Sequence, residues 1–84
     1  CNDPAECERY EIAVKCEHKG AGGSLSLTRE ANIGDEILVG PPRNDFPLAP
    51  NIQNFLFIAG GIGITPILSM MRHLKATGAA RFRL

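Results

Sequence analysis

Two periods of apolar residues divide the chain. From Arg9 to Lys15 the pattern is twofold: Tyr10, Ile12 and Val14 face one way and Arg9, Glu11, Ala13 and Lys15 the other, the alternation of a half-buried strand. "HKGAGGS" (His18 to Ser24) interrupts it as a glycine-rich loop. "SLSLTREA" fits two patterns: Leu25 and Leu27 alternate like a strand, while Ser24 is also placed to cap a short helix ending before Gly34. A turn at "NIGD" leads into a second alternating stretch, Asp35 to Gly40. "PPRNDFPLAPN" then concentrates four of the six prolines, as suits a sheet edge followed by a joint. Beyond it the pattern changes. "FLFIA" (Phe55 to Ala59) is wholly apolar, as in a strand buried on both faces. From Thr65 onward Ile67, Met70, Met71 and Leu74 recur at helical spacing, with Ser69, Arg72, His73 and Lys75 on the rest of the surface. Thr65 is the expected N-cap, Pro66 the first helical residue and Gly78 the stop. Arg81 to Leu84 begin another strand.

The neighbourhood of "FIAGGIGITPILSMMRHL" is apolar enough to raise a membrane span, which needs roughly 20 such residues. Gly60, Gly61, Gly63 and Pro66 fall in its middle and break a continuous helix, so the stretch reads as strand, glycine turn, helix. That geometry has a chemical use. The first turn of a helix presents unpaired N–H groups and a partial positive charge to an anion, and glycines let the anion's backbone come close. "GIGITP" places Pro66 where a dehydrogenase fingerprint has its third glycine, and no Gly-Lys-Ser/Thr follows for a P-loop.

Composition narrows the remainder. Nine basic and nine acidic residues give zero net charge, which supplies no electrostatic argument for nucleic acid or acidic membranes as partners. Cys1, Cys7 and Cys16 match neither a zinc pair nor a ferredoxin-type cluster run, so they read as reduced thiols of a cytoplasmic protein and no metal site is expected. His18 reads as a loop histidine and His73 as a solvated helix residue. At 84 residues a single domain has a marginal core. The chain begins at Cys1 without methionine and stops as a strand begins, so a longer parent is expected.

Five ordered stretches together resemble the ferredoxin-NADP reductase superfamily, and within it the phthalate dioxygenase reductase and vanillate O-demethylase reductase group. They are "CNDP" (Cys1 to Pro4), "YEIAVK" (Tyr10 to Lys15), "GGS" (Gly22 to Ser24), "PRNDFPL" (Pro42 to Leu48) and "AGGIGITPILSM" (Ala59 to Met70). The resemblance implies a fragment of a two-domain flavoreductase. Residues 1–50 would be the C-terminal part of an antiparallel Greek-key β-barrel that binds flavin, and residues 51–84 the first strand, turn and helix of an NAD(P)-binding α/β domain. It implies electron transfer from NADH through FMN to a [2Fe–2S] centre in a C-terminal domain beyond Leu84, and onward to an oxygenase component. Carried over by position, Ala13, Val14 and Lys15 would line the flavin, Gly22, Gly23 and Ser24 would offer backbone N–H groups to its phosphate, and Thr65 would lie by its ring. Gly61, Ile62, Gly63 and Pro66 would approach the NAD(P)H.

One departure bears on the cofactor. The family loop usually reads Gly-Arg-Gly-Gly-Ser, whereas this chain has Ala21 and lacks that charge-assisted contact to phosphate. FAD is therefore the alternative to FMN, and an FAD-dependent ferredoxin or flavodoxin reductase the alternative function. NADPH stays open beside NADH, because the residues that read the ribose would follow the strand starting at Arg81. A small non-enzymatic nucleotide-binding module is the reading from a different class. As a fragment the chain is expected to fold poorly alone and to retain no flavin.

Overall fold

A computed structural model describes residues 1–84, which divide into two compact units: Cys1–Ala13 with Phe46–Leu84, and Val14–Asp45.

In the first unit the change of period at the glycines becomes a change of element. Strand β1 (Asn54–Leu56) runs into a 3-10 turn at Gly61–Gly63, helix α2 (Ile64–Thr77) follows, and strand β2 (Arg81–Arg83) returns beside β1. β1 and β2 are parallel, with Asn54 opposite Arg81, Phe55 opposite Phe82 and Leu56 opposite Arg83. Two further bonds extend the ladder, from Arg81 N–H to Gln53 O and from Phe57 N–H to Arg83 O, each 2.8 Å. A parallel pair requires a crossover, and α2 is that crossover.

The core lies between the helix and one face of this pair. Phe57, Ile67 and Leu74 are buried, with Leu48, Phe55, Ile64, Met70, Met71, Ala80 and Phe82 packed around them. Burial of such side chains is worth about 1.5–3 kcal/mol each. Phe55 and Phe57, two apart and therefore on the same face, stack with ring centroids 5.7 Å apart. Leu56 and Ile58 point the other way and are exposed, so the strand expected over Phe55 to Ala59 with both faces buried is instead Asn54–Leu56 with one face covered, because the helix packs on one side of the pair only. Gly78 ends α2 as expected: it adopts the left-handed conformation (φ 62°), and its N–H bonds the Leu74 carbonyl at 3.0 Å.

The helix starts two residues earlier than its sequence signals, at Ile64 and not at Pro66, and Thr65 is not its N-cap. Gly63 holds that position without a side-chain cap, and the Ile64 N–H is satisfied by the Gly61 and Ile62 carbonyls of the 3-10 turn. Pro66 thus falls at the third helical position. It still removes no ladder bond, because the first four N–H groups of a helix have no intrahelical acceptor.

The second unit contains one short helix, α1 (Gly23–Arg29), so the helical pattern of "SLSLTREA" prevails over the strand pattern. Gly22 is its N-cap at φ 96°, a conformation suited to glycine, and Ser24 lies inside the helix. Thr28 Oγ1 donates to Ser24 O at 2.7 Å, and no α1 residue is buried. The stretches with strand alternation, Tyr10–Lys15 and Asp35–Gly40, form no ladder. The only sheet is the parallel pair β1 and β2. Alternation prepares a face for burial but does not supply the neighbouring strand that a ladder needs, and Ile12 and Leu38 accordingly stay exposed.

Candidate functional site

Strand β1 delivers the chain into the glycine turn of the first unit. Gly60 continues extended (φ −126°, ψ 127°), Gly61 reverses into positive φ (57°), and Gly63 N–H closes the 3-10 turn onto Gly60 O at 3.1 Å. Helix α2 therefore opens with no side-chain cap and no acidic residue in its first turn, leaving the positive end of its dipole uncompensated by the chain. Gly61, Ile62, Gly63 and Pro66 are exposed, and Thr65 is half-buried.

The glycines of this turn differ in what the backbone asks of them. Gly61 needs its positive φ. Gly63 has an ordinary helical φ of −59°, and a Cβ built there meets no atom within 4 Å. Neither conformation nor packing within the chain requires glycine at position 63. The space it leaves beside the first-turn amides suits the close approach of a phosphate-bearing ligand.

The second unit contains the other anion-shaped feature. Glu17 N–H donates to Ser24 Oγ at 2.9 Å and Gly20 N–H to Glu17 O at 3.4 Å, closing the loop that carries Ala21 and Gly22. The Ser24 hydroxyl is thereby committed to the backbone of Glu17. What the loop offers outward is the first-turn N–H groups of α1, which has no side-chain cap and no acid in its first turn. A Cβ on Gly22 or Gly23 also meets nothing within 4 Å. Val14 and Lys15 belong to this unit and are exposed, as is Ala13 at the edge of the other.

One polar cluster escaped the reading of the sequence. Asn2 Nδ2 donates to Arg9 O and Asn2 Oδ1 accepts from Glu11 N–H, both at 3.0 Å, while Asn2 O accepts from Ser69 Oγ at 3.0 Å. Cys1 N donates to Glu11 O, and Arg72 donates to Cys1 O. The partners lie 7, 9 and 67 residues from Asn2, so no local pattern announces them. Cys1, Cys7 and Cys16 are free thiols, and no group of three or more His, Cys, Asp or Glu side chains is placed to hold a metal. No helix is long and apolar enough to cross a membrane.

No protein-family model matches the chain. It is 55% identical over 83 residues to the phthalate 4,5-dioxygenase oxygenase reductase subunit of Pseudomonas putida, covering 99% of this chain and 26% of that protein. It is 46% identical over 77 residues to the vanillate O-demethylase oxidoreductase of the same species, covering 92% and 24%. The solved structure of phthalate dioxygenase reductase, described as modular and as transferring electrons from pyridine nucleotides to [2Fe–2S], superimposes with a TM-score of 0.95 at 51% identity. That match covers 100% of this chain and 26% of the reductase. The chain spans about a quarter of the length of the curated relatives it matches. It is a homologue, over that quarter, of phthalate dioxygenase reductase and the related oxygenase reductase subunits.

Proposed function

We propose that this chain is part of the reductase component of a Rieske-type aromatic oxygenase or demethylase, a cytoplasmic enzyme that passes electrons from NADH through FMN to a [2Fe–2S] centre outside these residues. Residues 1–50 are the C-terminal part of a Greek-key flavin barrel, whose missing strands would pair Tyr10–Lys15 and Asp35–Gly40. Residues 51–84 open the NAD(P)-binding α/β domain.

The observation that carries this reading is the match of the whole chain, at 51% identity and a TM-score of 0.95, to a reductase described as joining pyridine nucleotides to [2Fe–2S]. The donor sets agree with it: two helix starts without caps or acids, each beside glycines with open space, fit two phosphate-bearing ligands. The flavin, when bound, supplies acceptance of a hydride and release of single electrons. The protein's part is to bind and orient. Gly22, Gly23 and Ser24 would offer backbone N–H groups to the flavin phosphate, and Ala13, Val14 and Lys15 would line the flavin. Thr65 would hold the ring, while Gly61, Ile62, Gly63 and Pro66 would receive the nicotinamide dinucleotide. An oxygenase component is the electron acceptor.

A second reading of the cofactor, FAD in place of FMN, stays open at Ala21, which lacks the arginine that the family loop places to pair with the FMN phosphate. The test is made on the full-length protein. Flavin released by denaturation is identified by chromatography, and the bleaching of the flavin band is followed anaerobically with NADH and with NADPH. One FMN per chain, reduced by NADH in preference to NADPH, is the expected result. A preparation that binds no flavin, or whose flavin neither nucleotide reduces, refutes the proposal.

A further inference from the structure

We propose that Asn2 is a positioning residue, clamping the segment that leads into Ala13 against helix α2 and so setting the distance between the flavin and the nicotinamide. The inference rests on the oxygenase-reductase reading above. Its basis is the use Asn2 makes of its groups. A side-chain amide has an acceptor and a donor end, and here both are engaged by one stretch of backbone: Oδ1 by Glu11 N–H and Nδ2 by Arg9 O. This side chain imitates the N–H and C=O pair of a neighbouring strand.

The main chain of the same two residues faces the helix. Ser69 Oγ donates to Asn2 O at 3.0 Å and Arg72 donates to Cys1 O. Ser69 and Arg72 are three apart and therefore share a face of α2. At 1.5 Å rise per residue, Ser69 stands roughly 8 Å along the axis from Ile64, where α2 begins. Cys1, Asn2 and Asp3 are half-buried, whereas residues 7–15 are exposed throughout. Asn2 joins this segment to the helix, through its side chain on one side and its carbonyl on the other. One end of the clamp lies two residues before Ala13, assigned to the flavin, and the other lies on the helix whose first turn is assigned to the dinucleotide.

Hydride transfer needs reacting atoms about 3–3.5 Å apart, and an error near 1 Å costs on the order of a hundredfold in rate. Loosening the clamp is therefore read in the transfer step and not in the affinity for either ligand. Asn2→Ala in the full-length flavoprotein is expected to slow flavin reduction at saturating NADH by about tenfold or more. Flavin content and the Kd for NADH stay within about a factor of three of wild type. Asn2→Asp keeps the acceptor for Glu11 and loses the donor to Arg9, so its rate falls between the two. Ser69→Ala acts from the helix side in the same direction, and the double variant Asn2→Ala/Ser69→Ala loses less than the product of the single losses, because both open one clamp. If Asn2→Ala does not fold, Asn2→Asp and Ser69→Ala carry the test.

Limiting rates equal to wild type in the folded variants overturn the inference. So does a slow rate that returns to normal once added flavin restores full occupancy, since that describes a structural residue only. A wild-type protein that NADH does not reduce removes the functional reading as well, whereas normal rates in variants of a reducible wild type remove the clamp alone.

Discussion

Ile67 and Ile12 are the same residue type in two apolar patterns of the same chain, and they meet opposite fates. Ile67, on the helical period of α2, is 4% exposed; Ile12, on the twofold period of "YEIAVK", is 71% exposed. The difference lies in where each element finds its hydrogen-bond partners. A helix closes its ladder within itself, and α2 also carries the chain from β1 to β2, so a local stretch assembles strand, helix and strand with a face to cover. A strand cannot close its ladder alone. Tyr10–Lys15 and Asp35–Gly40 have the right alternation and no neighbour within these residues. Burial here follows the reach of the hydrogen bonds more than the hydrophobicity of the residues.

The largest effects test that contrast directly. In the full-length protein Ile67→Ala is expected to lower stability by about 2–5 kcal/mol, the range for truncating a buried large aliphatic side chain. If residues 1–50 belong to a closed barrel, Ile12→Ala in the same protein falls in that range too, despite the exposure of Ile12 in this chain. A cost within about 0.5 kcal/mol, as for a surface site, breaks the barrel assignment. Denaturant unfolding of the two variants beside wild type decides it.

Gly61 and Gly63 sharpen the comparison within the helical region. Gly61 holds a left-handed φ, so Gly61→Val is expected to cost about 1–3 kcal/mol of stability. Gly63 has no such requirement and faces open space. Gly63→Val should leave the melting temperature and flavin content near wild type and raise the KM for the nicotinamide cofactor by about tenfold or more, since a side chain there holds the dinucleotide off the short hydrogen bonds of the helix start. An unchanged KM in a folded, flavin-loaded variant takes Gly63 out of the binding site. A fall in melting temperature and flavin content together assigns the glycine to structure.

What the sequence made legible follows the same division. β1, α2, the Gly78 stop and β2 all rest on local signals: an apolar run, a helical period and a left-handed glycine. The start of α2 lies two residues before the Thr65–Pro66 signal because the 3-10 turn at Gly61–Gly63, and not a side chain, satisfies the Ile64 N–H, and no capping residue announces such a turn. Ser24 to Arg29 fit two periods, and the positive φ of Gly22 with the Thr28 bond to Ser24 accompanies the helical outcome. The Asn2 cluster was invisible because its partner Ser69 stands 67 residues away. The glycine-rich stretches could be found as candidate anion sites by spacing alone. Which ligand each takes was not in the spacing and came only through resemblance.

The smallest expected effect lies in the second unit, where the same kind of feature, a helix start flanked by glycines, is built with less support. Helix α1 has seven residues and buries none of them, so its dipole and its rigidity both contribute less than those of the fourteen-residue α2. The loop before it carries exposed Ala21 where an arginine would pair with phosphate. In the full-length protein, Ala21→Arg is therefore expected to tighten FMN binding by about 1 kcal/mol, below the usual range for a hydrogen bond to a charged group because the loop is exposed, and roughly a fivefold fall in Kd. The gain should shrink as salt is raised, because the loop is solvent-exposed and the added interaction is ionic. The order of ligands is the discriminating control. Riboflavin, which shares the ring and lacks the phosphate, should bind Ala21→Arg and wild type equally. Affinity for FMN that is unchanged, or a gain that riboflavin shares, would mean that the loop at Gly22 does not face the phosphate, and would leave the glycine turn before α2 as the chain's one candidate phosphate site.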